Sequence, residues 1–143
     1  MQRRETSKTY LGILTQHNMF NAQNAINKNF KYSEIPYDLA SYVLQTGVEL
    51  VYIPYDMPFE DQKDLLANTN GLVLPGGASR LIEHPIGGGL LTDYMKKVKQ
   101  IIDWAIFRNN VEKKYFSIFG VCLGYEQLFI ALADGDPKVL SHG

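Results

Sequence analysis

Four short apolar runs, at residues 10–15 (YLGILT), 48–53 (VELVYI), 71–74 (GLVL) and 115–119 (YFSIF), recur along the chain with helical patterns between them. This alternation constrains the fold more than any other feature. Runs of this length, rich in Ile, Leu and Val, are too short for helices and read as buried strands. Between the first two, residues 33–45 carry Ile35, Leu39, Tyr42 and Val43 at helical spacing, with Pro36 suited to the first turn and Thr46-Gly47 as a stop. Residues 60–67 predict a short helix. After Gly87-Gly88-Gly89 comes the longest periodic segment, with Leu91, Tyr94, Val98, Ile101, Ile102 and Ala105 on one face and Lys96, Lys97, Lys99 and Gln100 mostly on the solvated side. Residues 123–133 (LGYEQLFIALA) form a last helix, closed by Asp134-Gly135. Strands that alternate with helices at this spacing imply βαβ crossovers, and so a parallel α/β sheet with helices on both faces. The Asn-rich stretch 17–31 falls in a loop at the carboxyl end of the first strand.

Composition narrows the classes of function. With 143 residues, 45% hydrophobic, 20% charged and a net charge of -1, the chain fits one globular domain and no fibrous, coiled-coil or disordered class. Fourteen basic residues against fifteen acidic ones, with no like-charge run beyond Lys96-Lys97 and Lys113-Lys114, leave no footprint for nucleic acid or an anionic membrane. No apolar run approaches the roughly 18 residues of a membrane span. Residues 1–9 form a polar leader without the apolar core of a signal peptide, and the domain is expected to begin at Tyr10 and run to Gly143. One cysteine makes no internal disulfide, so its thiol has to be explained on its own terms.

That cysteine stands in Gly120-Val121-Cys122-Leu123-Gly124, between the fourth strand and the last helix. The order small-x-nucleophile-x-small matches a nucleophile elbow, in which a strand turns sharply into a helix and presents the central side chain at the sheet's carboxyl edge. Glycines flank such a residue because larger side chains would collide. The helix N-terminus favours a thiolate, and its first amide, Leu123 N–H, is half of an oxyanion hole. The other half is expected from the Gly76-Gly77 backbone, which leaves the third strand at the same edge. A small buried cysteine, with glycines that only turn the chain, is the alternative reading of the same residues. The three histidines, His17, His84 and His142, make no metal-ligand spacing with Cys122, so no metal site is expected.

Four segments, 10–16 (YLGILTQ), 40–43 (ASYV), 70–77 (NGLVLPGG) and 119–128 (FGVCLGYEQL), occur in an order and spacing that resemble the γ-glutamyl hydrolases, members of the class I glutamine amidotransferase-like superfamily. Glu126 discriminates most, because the amidotransferases usually carry Gln at that position. The resemblance implies a flavodoxin-like, three-layer fold and hydrolysis of γ-glutamyl bonds of folate polyglutamates without a cofactor. Cys122 is then the nucleophile, Gly77 and Leu123 the oxyanion donors, and Gly76 and Glu126 substrate-binding residues.

A thiol at such a turn needs a base, usually an imidazole oriented by a carboxylate. The resemblance implies that His and Glu lie far downstream of the cysteine, whereas here the cysteine is residue 122 of 143. The segment therefore reads as the amino-terminal part of the full domain, with none of the three histidines matching the family's base. Two functions stay open. One is a γ-glutamyl hydrolase; the other is a catalytically inactive relative acting as a structural or interaction subunit, as a homodimer or with a partner that completes the domain. The family's lysosomal, vacuolar or secreted location stands against the absence of a signal peptide in residues 1–10, which fits a cytoplasmic or organellar chain.

Overall fold

The computed structural model describes residues 8–17, 33–83 and 89–140. Its centre is a four-stranded parallel sheet made of β1 (Tyr10–Leu14), β4 (Glu49–Ile53), β5 (Gly71–Leu74) and β6 (Ser117–Gly120), in the order β4-β1-β5-β6. Two short segments, β2 (Gln16–His17) and β3 (Ser33–Glu34), pair antiparallel beside it. Helices α1 (Tyr37–Gln45), α2 (Phe59–Ala67), α3 (Asp93–Asn110) and α4 (Leu123–Leu132) complete the described elements, followed by one 3-10 turn over Pro137–Leu140. This is the parallel α/β arrangement expected from the sequence.

Alternation along the strands sorts the side chains onto two faces. Leu14, Ile53, Leu72 and Leu74 join Leu66 of α2, Val98, Ile101 and Ile102 of α3, and Ile130 of α4 in one buried cluster. Ile13 and Val73 point the other way and are also buried, as are Ala40 and Val43 of α1. On that second face the register sets Ile13 beside Tyr52 and Val73 beside Phe119, yet Tyr52 and Phe119 are 55% and 65% exposed. Helices were expected to cover both faces throughout. Among the described residues the second face is covered at its centre and open at both edges.

Several boundaries differ from the sequence reading for local reasons. Helix α1 begins at Tyr37 rather than residue 33, because Pro36 forces Ile35 toward extended backbone and itself serves as N-cap. Helix α3 begins after Leu91: Thr92 is its N-cap, its hydroxyl accepting from Met95 N–H at 3.2 Å, and Leu91 bridges to Ile82. Strand β6 begins at Ser117 rather than residue 115. The Asn109 carboxamide takes both backbone groups of Phe116, donating to its carbonyl and accepting from its N–H at 2.8 Å each, so the ladder starts only after it, at Ser117. The Asn-rich loop 17–31 lies almost wholly outside the described residues; His17 begins it in β2.

Tyr94 of α3, 7% exposed, sits with its ring edge-on to Tyr55 and its hydroxyl near Gln127 of α4. Burial pushes its phenol up to about 12. The fold favours the neutral phenol, so this stability is present below the unfolded value near 10 and is lost as pH rises toward 12. Between those limits the loss is expected to reach about 2–3 kcal/mol. Urea unfolding of wild type and Tyr94→Phe across that range checks it: the variant's alkaline decline should be shallower by that amount, and parallel declines would contradict it.

Candidate active site

Strand order places the site. The chain leaves β1 for β4, then returns past β1 to β5 and on to β6. The direction of winding therefore reverses between β1 and β5, and the carboxyl ends of those strands form the topological switch point at which open α/β sheets place their ligands. Three segments meet there: Thr15-Gln16 after β1, Pro75-Gly76-Gly77 after β5 and Val121-Cys122 after β6.

Cys122 is exposed and forms the corner between β6 and α4, with φ 51° and ψ -109°. A side chain at positive φ crowds its own backbone and costs on the order of 1–2 kcal/mol, so the surrounding contacts must enforce the geometry. They do so from both sides. Val121 N–H donates to the Leu74 carbonyl at 3.0 Å and extends the β5–β6 pairing to the corner. Gly124 N–H then closes onto Val121 O at 2.9 Å, and Tyr125 and Glu126 N–H onto Cys122 O at 2.9 and 3.2 Å. Among the described residues these bonds leave Leu123 N–H, the amide next to the thiol, without a protein acceptor.

The glycines are required by contact. A Cβ on Gly120 would lie 2.5 Å from Gly124 O, and one on Gly124 would overlap the Leu74 carbonyl. At Gly76 a Cβ would come 3.2 Å from Cys122 Cβ and 4.0 Å from its Sγ, so the loop after β5 runs directly against the thiol. Gly77 follows, exposed, its N–H likewise without a protein acceptor among the described residues. Glu126 is exposed one helical turn beyond Cys122. The structure thus brings Cys122, Leu123, Gly76 and Gly77 together and sets Glu126 on the helix that starts at the thiol. His84, His142 and the side chain of His17 lie outside the described residues. Among the described residues no group of three or more His, Cys, Asp or Glu is placed to hold a metal ion.

Gln16 escaped the sequence reading except as the last letter of a resembling segment. It is 5% exposed, and its Nε2 donates to the Pro75 and Gly76 carbonyls at 2.8 and 3.0 Å. The available signal was a carboxamide ending an apolar strand at the sheet's carboxyl edge.

The family model for peptidase C26 matches residues 9–135, from just before β1 to the glycine after α4. The chain belongs to the peptidase C26 family. Its peptidase C26 relatives include the γ-glutamyl hydrolase of Homo sapiens, 27% identical over 126 residues that make up 88% of this chain and 36% of that protein. The γ-glutamyl hydrolase of Bos taurus is 30% identical over 132 residues, 90% of this chain and 36% of that protein. γ-Glutamyl hydrolase B of Dictyostelium discoideum is 27% identical over 118 residues, 82% and 30% of the two chains. The resemblance read from the four segments therefore holds at the level of the family. The chain spans about a third of the length of these curated relatives. Among the described residues no helix is long and apolar enough to cross a membrane.

Proposed function

We propose that this peptidase C26 chain carries the nucleophile of a γ-glutamyl hydrolase site acting on γ-glutamyl bonds such as those of folate polyglutamates. The observation that carries the reading is the exposed Cys122 held at φ 51° on a strand-to-helix corner, with the Gly76 backbone against it. The fold maintains a strained backbone at its one thiol, in the position where an acyl-transfer nucleophile is needed.

In this reading the Cys122 sulfur attacks the γ-carbonyl carbon, a C–S bond forms, and the carbonyl oxygen takes the negative charge. Leu123 and Gly77 N–H receive that oxyanion. The C–N bond then breaks, the departing amine leaves with the proton given up by the thiol, and water cleaves the thioester to return the thiol and release the γ-carboxylic acid. The proton carrier is a His in the resemblance and is not among the described side chains. Glu126, an acceptor only, serves an N–H of the glutamyl group. Glu126→Gln is expected to raise KM roughly 10-fold with kcat little changed, since a charged acceptor is replaced by a weaker neutral one; equal kinetics would remove Glu126 from the site.

The test is incubation of the 143-residue chain with a γ-glutamyl oligoglutamate, scoring free glutamate, with Cys122→Ala as control. Release by wild type alone supports the reading, and release by neither chain contradicts it. The open second face favours a second reading, a catalytically inactive structural or interaction subunit. Tyr37, Tyr42 and Leu44 of α1 are exposed, as are Tyr52 and Phe119 on the strands. Stable association through those residues together with no glutamate release would decide for it.

A further inference from the structure

The Gln16 carboxamide is committed to the loop that faces the thiol. It is 5% exposed in β2, two residues beyond β1, and an amide nitrogen has two hydrogens, which here meet two successive carbonyls, Pro75 O at 2.8 Å and Gly76 O at 3.0 Å. Its other end fills the space beside the next residue, because a Cβ on Gly77 would overlap Gln16 Oε1 and lie 2.8 Å from Cδ. The Gly76 carbonyl and the Gly77 N–H belong to one planar trans peptide and point in opposite directions. Holding that oxygen toward Gln16 therefore turns the Gly77 hydrogen away from Gln16. The thiol flanks the same loop, 4.0 Å from where a Gly76 Cβ would stand.

We infer that Gln16 is a positioning residue, whose carboxamide sets the plane of the Gly76–Gly77 peptide and so aims Gly77 N–H at the oxyanion formed when Cys122 is acylated. The inference rests on the proposed acyl-transfer reading. Gln16 touches no reacting atom; it acts through a backbone group that would otherwise be free to rotate on a two-glycine loop. Preorganised donors are effective because they need not reorient when charge develops.

Two reactions at the same sulfur separate this role from a merely structural one. Iodoacetamide is displaced at a saturated carbon, so a C–S bond forms, iodide leaves and no oxyanion arises. An activated γ-glutamyl aryl ester reacts through a tetrahedral oxyanion: the C–S bond forms, the C–O bond breaks and the phenolate leaves without needing a proton. With a single cysteine, intact mass reports both rates on the full chain. Gln16→Met keeps the bulk and removes both donors, and is expected to slow acylation roughly 10- to 100-fold, below the 10²–10³-fold of deleting a donor outright, while alkylation stays within about 2-fold. Gln16→Glu keeps the shape without a donor and serves if Gln16→Met loses its cooperative thermal transition. Its acylation-to-alkylation ratio should recover as pH falls and the carboxyl group gains a proton to donate. An unchanged ratio, or both rates falling together, overturns the inference while acylation of wild type leaves the acyl-transfer reading standing. If wild type is alkylated but never acylated, that reading fails and the inference fails with it.

Discussion

Gly124→Ala is expected to destabilise the chain by about 3 kcal/mol or more, although alanine is the better helix former by about 1 kcal/mol. The new Cβ would overlap the Leu74 carbonyl oxygen and sit 2.8 Å from both its carbonyl carbon and its Cβ. None of these atoms is a flexible tip: Leu74 is fully buried at the end of β5, and its carbonyl accepts the Val121 N–H that leads into the corner. Relief requires α4 to move off the sheet, which opens the cluster holding Ile130 and Leu123. Gly47→Ala is the matched control. Gly47 has φ 85° and nothing within 4 Å of a Cβ, so that substitution strains the backbone without a clash and should cost about 1 kcal/mol. Thermal melts of the two variants check the difference. A drop on the order of 10 °C for Gly124→Ala, clearly larger than for Gly47→Ala, is expected at this size; equal drops would mean that α4 is not seated on β5 as described.

The second large effect is at Cys122, where stability and chemistry should move in opposite directions. Cys122→Ala keeps a Cβ at φ 51° and removes the sulfur, so acylation should fall by a factor on the order of 10³ or more with stability changed by less than about 0.5 kcal/mol. Cys122→Gly removes the sulfur and the strain together. Relief of about 1–2 kcal/mol, offset by the greater freedom of glycine in the unfolded chain, should leave it about 0.5–1 kcal/mol more stable than Cys122→Ala. Denaturant midpoints of the two variants give the comparison. If Cys122→Gly were the less stable of the two, the corner would not be strained, and a functional reason for keeping a cysteine there would be weakened.

Much of the architecture was legible because the strands lie in the buried middle of a parallel sheet. Such strands read as continuous apolar runs, as 71–74 does, and the glycine spacing around Cys122 reflects contacts that admit no Cβ. What escaped depends on partners outside the element itself. Phe116 looks like strand but is held by Asn109, and the two-residue pairing of Gln16 with Glu34 has no periodicity to detect. Phe119 fits a covered strand in sequence, while its 65% exposure depends on which face it occupies and what lies over that face. Gln16 was the largest omission in the site. Its two acceptors are 59 and 60 residues away and are backbone carbonyls, which no pattern of side chains announces.

The most direct measurement is the mass of the 143-residue chain after brief incubation with an activated γ-glutamyl aryl ester, followed by peptide mapping. One γ-glutamyl adduct located on Cys122, and none on Cys122→Ala, is expected. An unmodified wild-type chain, or an adduct on any other residue, would contradict the assignment of Cys122 as the nucleophile.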